Sequence, residues 1–391
     1  MGPGSFLEAP RTEKRLERGE GGELRYGLGA MQGWRAHMED AHTAQPQLPG
    51  ALAAWAFFAV YDGHAGGTVA QFCARHLLEE VVAGEAFAGE AESPAAVKAA
   101  VREGFLRIDR RMQALARAEG WEHAGSTAVA VLVSPRHLYF INLGDSRALL
   151  CRAGRLTFHT KDHKPGRPRE RERIENAGGT VLLQRVNGSL AVSRALGDFD
   201  YKAVAWRGQT EQLVSAEPEV DELARCPGED EFLVLACDGV WDAFDTQGLC
   251  AFVRSRLLLG ADPLAVCEEV LDAGLHKVRQ GWGAGPPASN GRWLPGRGLA
   301  GGWRWGTGHG DFPLWGGASS QTDSHSMGWG WGAGNGTWGL FPLEGTGSRP
   351  ATGQGLAGLS PVGGAGSHTT PGQGLTGSGG REWDTGPFPS S

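Results

Sequence analysis

Along the first 280 residues, apolar positions follow two different periods, and each period predicts an element. Residues 56–62 (AFFAVYD) are continuously apolar and end in an acid, the pattern of a strand buried on both faces. A helix is expected to follow from Thr68 to Ala83. Past Ser93, a capping residue, and Pro94, suited to a first helical position, Val97, Val101, Phe105, Ile108, Met112 and Leu115 recur every three or four residues. That spacing predicts a helix with one buried stripe. Residues 126–133 (STAVAVLV), 137–143 (HLYFINL) and 146–151 (SRALLC) are β-prone runs separated by Ser134-Pro135-Arg136 and Gly144-Asp145, which predicts an antiparallel meander. Pro168 opens a charged helix ending at Gly178-Gly179, residues 231–236 (EFLVLA) read as another buried strand, and further helices begin near Asp245-Thr246 and Asp262-Pro263. Strands and helices interleaved in this way predict an α+β layered domain.

Composition changes that picture at one point. From Gly281 onward the chain holds 33 of its 63 glycines and 9 of its 14 tryptophans, with no lysine and no cysteine, so no periodic apolar face offsets the backbone entropy of ordering it. Three regions are therefore expected: a disordered N-terminus over 1–22, a folded domain over 23–280 and a disordered Gly/Trp/Pro-rich tail over 281–391. The six cysteines are scattered without zinc-like spacing, which suits reduced thiols in the cytosol or nucleus. No segment has the length and apolarity of a membrane span, and the first twenty residues lack an apolar signal core. Gly2 follows Met1, but Phe6 stands where an acylation signal has Ser or Thr, so an unmodified N-terminus is expected. A net charge of −7 speaks against general nucleic-acid binding. The basic run from Lys161 to Arg173 has interleaved acids and reads as a solvated helix face, with a phosphopeptide-facing patch as the lesser alternative.

Candidate chemistry lies in three motifs that place acids beside turns: Arg35-Ala36-His37-Met38-Glu39-Asp40, Val60-Tyr61-Asp62-Gly63-His64 and Cys237-Asp238-Gly239-Val240-Trp241-Asp242. Carboxylates converging from separate strand ends suit a hard divalent cation such as Mg²⁺ or Mn²⁺, and glycine after an acid lets the backbone approach the ion. Each Asp-Gly alone is an ordinary turn signal. Taken with GSTAVAVLV, NLGDSRALL and SLAVSRALGD, in this order between about Arg25 and Val278, the blocks resemble the metal-dependent serine/threonine protein phosphatases of the PPM (type 2C) family.

The resemblance implies a sandwich of two antiparallel β-sheets flanked by helices. It implies that Asp62 bridges two metal ions, that the Gly63 backbone binds one, and that Glu39 and Asp238 bind the other. Asp145 and Asp242 match positions for a further, weaker metal. The paired ions would acidify a water for in-line attack on phosphorus. Arg35 would hold phosphate oxygens, His64 would protonate the leaving oxygen, and Asp40 would orient coordinated water. Expected substrates are phosphoserine and phosphothreonine in proteins, acted on by a monomer. Cys237 is read as a buried structural thiol, because no Cys-x₅-Arg phosphate loop surrounds it.

One departure weakens this expectation. Family members continue past the last helix into Ser-x-Asp-Asn-Met-Thr and a core strand, whereas here the helix from Asp262 runs into Gln280-Gly281-Trp282, with no Asp-Asn pair downstream. None of the tail acids, Asp311, Asp323, Glu344, Glu382 and Asp384, stands beside a predicted strand. The domain is thus expected to lack its C-terminal strand and one ligand of the second metal site, with the tail an alternatively spliced or read-through end. The rival readings are a pseudophosphatase that binds phosphoproteins or partners, a two-metal nuclease, and an unstable product with no role.

Overall fold

The computed structural model describes residues 6–87, 93–281 and 336–343. Two antiparallel sheets stack face to face. The first runs in the order β1 (Phe6–Gly21), β2 (Leu24–Arg35), β16 (Gly336–Pro342), β15 (Asp230–Ala236), β9 (Arg147–Arg152), β10 (Arg155–His159). The second runs β14 (Glu219–Ala224), β8 (His137–Leu143), β7 (Ala128–Val133), β4 (Ala56–Tyr61), β3 (Ala41–Gln45). Between them Leu28, Phe58, Val131, Phe140, Leu150, Leu233 and Phe341 interdigitate. Because β4, β7 and β8 are apolar on both faces, their outer sides also need cover. Helices α1 (Thr68–Val82) and α2 (Pro94–Glu119) supply it through Leu77, Val81, Val101 and Phe105. Helices α5 (Thr246–Leu258) and α6 (Pro263–Gly281) cover the first sheet in the same way through Val253, Val266 and Val270. The α+β sandwich expected from the sequence is therefore present, as two sheets between two helical layers.

The buried stripe of α2 follows its predicted spacing up to Met112. Leu115, however, is 36% exposed and Ala116 takes the buried place, four residues on from Met112. Helix α3 (Pro168–Asn176) is less solvated than its composition suggested: Glu170 turns inward and pairs with Arg173 and Arg194. The N-cap of α5 is Asp245, whose carboxylate accepts from the Gly248 amide at 2.7 Å.

Three expectations are corrected. The meander over 126–151 forms only between β7 and β8; at Gly144-Asp145 the chain crosses the sandwich, and β9 joins β15 in the other sheet. Residues 6–21 are not disordered but form β1, an edge strand paired along β2. Its charged side chains suit an edge, and Tyr26 donates to Glu17 at 2.6 Å across the pair. The third correction concerns the missing core strand. Gly336–Pro342, from the glycine-rich region, lies between β2 and β15 and pairs antiparallel with both. Trp338 and Leu340 have no exposed surface there. Burial of the large apolar side chains at 338, 340, 341 and 343 offsets the entropy that the two strand glycines add. The tail acids Asp311, Asp323, Glu344, Glu382 and Asp384 lie outside the described residues.

Candidate metal and phosphate site

The site lies at one end of the sandwich, where several strands of both sheets terminate. Strand β4 ends at Tyr61 and leads into Asp62, whose carbonyl accepts from the Thr127 amide at 3.0 Å. Strand β15 ends at Ala236, Cys237 caps the next turn, and Asp238 opens the helical turn α4 (Asp238–Trp241), held by the Trp241 indole donating to the Ala236 carbonyl at 2.8 Å. Strand β2 ends at Arg35, where the Gln32 amide donates to the carbonyls of Arg35 and Ala36 at 2.8 and 2.9 Å. The following link carries Glu39 and Asp40. Gly63, in the two-residue strand β5 (Gly63–His64), permits a close approach: a Cβ there would lie 2.4 Å from the Glu39 carbonyl oxygen.

These elements bring acids together without neutralising them. Burial, then repulsion from Asp238, Asp40 and Asp145, hold the Asp62 carboxyl well above the ordinary carboxylate range. Burial and Asp145 likewise raise Asp238, with Arg35 and Lys164 opposing the shift. Asp40 is pushed up to about 6, first by loss of water, and neither of its enclosed oxygens has a hydrogen-bond partner. Asp62, Asp40 and Cys237 lie close enough for one atom of each to reach a common ion. The Cys237 thiol is driven well up by burial and by the surrounding acids, so it stays protonated and is a poor ligand. Glu39 sits to one side, one oxygen accepting from the Gly66 amide at 2.7 Å. Asp145 is buried and paired with Lys164. Asp242 is at the rim, where desolvation over the acidic floor, then Asp238, raise its pKa to about 8.

This donor set fits divalent cations. It offers all-oxygen ligands, orphaned buried carboxylate oxygens and a surplus of negative charge that Arg35 and Lys164 only partly offset. Asp145 and Asp238 bear on both Asp62 and Asp242, and Arg35 bears on Asp238 and Asp242.

His64 is 4% exposed, and its Nε2 lies 2.8 Å from an Asp198 carboxylate oxygen. Burial alone would lower the imidazole pKa, but Asp198, then Asp145 and Glu39, outweigh it and the net shift is upward. The pair needs a glycine beneath it: a Cβ on Gly125 in β6 (Gly125–Ser126) would come within 2.3 Å of both His64 Nε2 and Asp198. Asp198 was missed in the sequence, although SLAVSRALGD ends on it. A carboxylate needed to orient a proton-donating histidine was the signal that could have found it. Thr337 at the start of β16 was missed as well.

A family model described as Protein phosphatase 2C matches residues 24–280. Over 277 residues the chain is 56% identical to Protein phosphatase 1A of Homo sapiens, spanning 70% of this chain and 72% of that relative. To Protein phosphatase 1B of Mus musculus it is 56% identical over 282 residues, with the same coverage of 70% and 72%. Among solved structures, a phosphatase from a pathogenic strain of Toxoplasma gondii superposes with a TM-score of 0.60 at 24% identity, over 85% of this chain and 96% of that one. A serine-threonine phosphatase 2C from Toxoplasma gondii gives 0.61 at 18% identity, over 88% and 99%. At such identity the structural likeness speaks to the fold, and it agrees with the sandwich.

Proposed function

Because the chain belongs to the protein phosphatase 2C family, we propose that it hydrolyses phosphoserine and phosphothreonine in proteins, using Mg²⁺ or Mn²⁺ held by Asp62, Asp238, Glu39 and the Gly63 backbone, with Asp145 and Asp242 near a further, weaker site. The observation that carries this reading is the group of enclosed, mutually repelling acids Asp40, Asp62 and Asp238 beside Arg35 and the His64–Asp198 pair. When bound, such ions supply Lewis acidity that lowers the pKa of water near neutral pH. Arg35, at the end of β2 and pinned through its backbone by Gln32, offers a planar guanidinium to two phosphate oxygens. His64, whose hold on its proton Asp198 strengthens, gives that proton to the leaving serine or threonine oxygen. Asp198 holds the ring in place and does not meet the substrate.

Among the described residues no helix is long and apolar enough to cross a membrane. We further propose a monomer working in the cytosol and/or nucleus. The test of the enzymatic reading is turnover of a phosphothreonine peptide with Mn²⁺ by the full chain and by Asp62→Asn. A loss of at least about a hundredfold in the variant supports it, as expected for removing a central metal ligand. Equal rates sink it. A second reading, a pseudophosphatase that binds phosphoproteins without turnover, is favoured by one observation: β16 brings the hydroxyl of Thr337, not a carboxylate, to the site wall. Calorimetric stoichiometry separates the two, since two Mn²⁺ ions per chain support catalysis and one or none supports binding alone.

A further inference from the structure

Strand β16 does more than close a gap in the sheet. Its side chains alternate: Trp338 and Leu340 pack beneath the helices, while Phe341 and Leu343 enter the core between the sheets. Parity puts Thr337 on the same face as Phe341, but at the strand end that abuts the acidic site. The main chain is fixed there by two bonds. The Cys237 amide donates to the Thr337 carbonyl at 3.1 Å, and the Thr337 amide donates to Cys237 Sγ at 3.2 Å. Asp238 is the next residue after this clamp. The indole of Trp338 sets the other side by donating to the Cys267 carbonyl at 3.2 Å.

Thr337 is 1% exposed, yet its hydroxyl has no hydrogen-bond partner. Both oxygens of Asp40 are enclosed and share that lack. Packing alone does not account for a hydroxyl at this position, because a β-branched valine would fill the same space without burying an unpaired donor. We propose that Thr337 is a positioning residue for the metal site: its hydroxyl is oriented toward Asp40, turns one carboxylate oxygen to itself and leaves the other facing the cations. Strand β16 thereby becomes a working wall of the site as well as a core strand. The link is geometric: Asp40 and Cys237 each place a ligand atom within 4.8 Å of the other, and the Thr337 amide is bonded to that same Cys237 sulfur. Hydrogen-bonded partners of this kind change metal affinity by about 10–100-fold when removed.

This inference rests on the metal-site reading above, and the experiment separates the two. Mn²⁺ binding is measured by calorimetry on the full chain for wild type, Thr337→Ser and Thr337→Val, together with Tm in the absence of metal. Thr337→Val is expected to weaken Kd about tenfold or more while its metal-free Tm stays equal to or above that of wild type, since an unpaired hydroxyl has gone. Thr337→Ser is expected to keep wild-type affinity. If the valine chain does not fold, Thr337→Cys, similar in size and a weak donor, has to show the same loss. A Thr337→Val chain with wild-type Kd overturns this inference and leaves the phosphatase reading standing. So does a serine variant as weak as the valine one. A wild-type chain that binds no Mn²⁺ overturns both.

Discussion

Two groups of acids, one buried and one half-buried, lie in the same domain and are treated in opposite ways. Asp109, on α2, is 3% exposed; it accepts from Lys202 Nζ at 2.8 Å and from the Gly197 amide at 2.9 Å, and the same ammonium donates to the Ala195 carbonyl at 2.9 Å. Burial raises its pKa and these partners hold the rise back. Glu170 goes further: Arg173, Arg194 and Ser193 overcome burial and bring it down to about 2. At the end of the sandwich, by contrast, Asp62 faces Asp238, Asp40 and Asp145, and every one of those neighbours pushes its pKa up. Burial of an acid is thus no sign of function by itself. The sign is charge that the chain leaves unanswered, because an unpaired buried carboxylate lowers stability and persists only where something outside the chain answers it.

The contrast predicts opposite signs for superficially similar substitutions. Lys202→Met leaves Asp109 buried without a cation and should destabilise the fold by about 3–5 kcal/mol, as measured by urea unfolding with and without Mn²⁺. Adding Asp109→Leu should recover much of that loss. Asp62→Asn removes a repelling charge instead, so in metal-free protein its Tm should equal or exceed wild type, even though turnover falls at least about a hundredfold. If Asp62→Asn melts below metal-free wild type by as much as Lys202→Met does, the two acid groups are not different in kind.

A smaller effect is expected at the His64 pair. Asp198→Asn keeps the shape of the partner but removes the charge that holds the imidazole pKa up. The sign follows directly: the His64 pKa falls, so the alkaline limb of the kcat/KM profile moves to lower pH. Turnover at neutral pH should drop about tenfold to a hundredfold, within what a positioned proton donor contributes. An unmoved alkaline limb with intact turnover removes Asp198 from the mechanism.

What was legible in the sequence follows the same division between local pattern and distant partnership. The stripe Val97, Val101, Phe105, Ile108 and Met112 announces α2, and the runs at 56–61 and 231–236 announce strands, because continuous or periodic apolar positions report burial locally. Of the acids at the candidate site, Asp62, Asp145 and Asp238 stood out in the sequence because a glycine stands beside each. Strand β1 was hidden by its charges, which an edge tolerates, and β16 by its two glycines and Pro342, which only its neighbours β2 and β15 override. The crossing of β9 to the other sheet left no mark in the pattern, since a buried strand reads alike in either sheet. Asp198 and Lys202 were missed for a related reason: their partners, His64 and Asp109, are 134 and 93 residues away.

The smallest expected effect is the pH dependence of metal-free stability, and it carries the comparison into a single measurement. The acidic site has native pKa values above the unfolded ones, Asp40 at about 6 and, at its exposed rim, Asp242 at about 8, with Asp62 and Asp238 also raised. A raised carboxylate pKa means the native state holds protons that the unfolded chain has released, so stability falls as pH rises through this range. His64, also raised, acts in the same direction as it deprotonates. Glu170 has the opposite sign, but its contribution is lost only on acidification toward about pH 2. His163, lowered by burial, opposes the trend below about pH 6.5, where the unfolded chain's imidazole is protonated. The window in which the acidic site and the His64 pair outweigh the opposing groups is therefore pH 6.5 to 8.5. There the metal-free Tm should fall with pH, and saturating Mn²⁺ should abolish or reverse the fall, because the ions bind the deprotonated carboxylates of the native state. Asp62→Asn, with fewer charges to repel, should give a flatter metal-free slope than wild type. A wild-type Tm that is level across the window without metal shows that the floor is neutralised from within the chain, as Asp109 is.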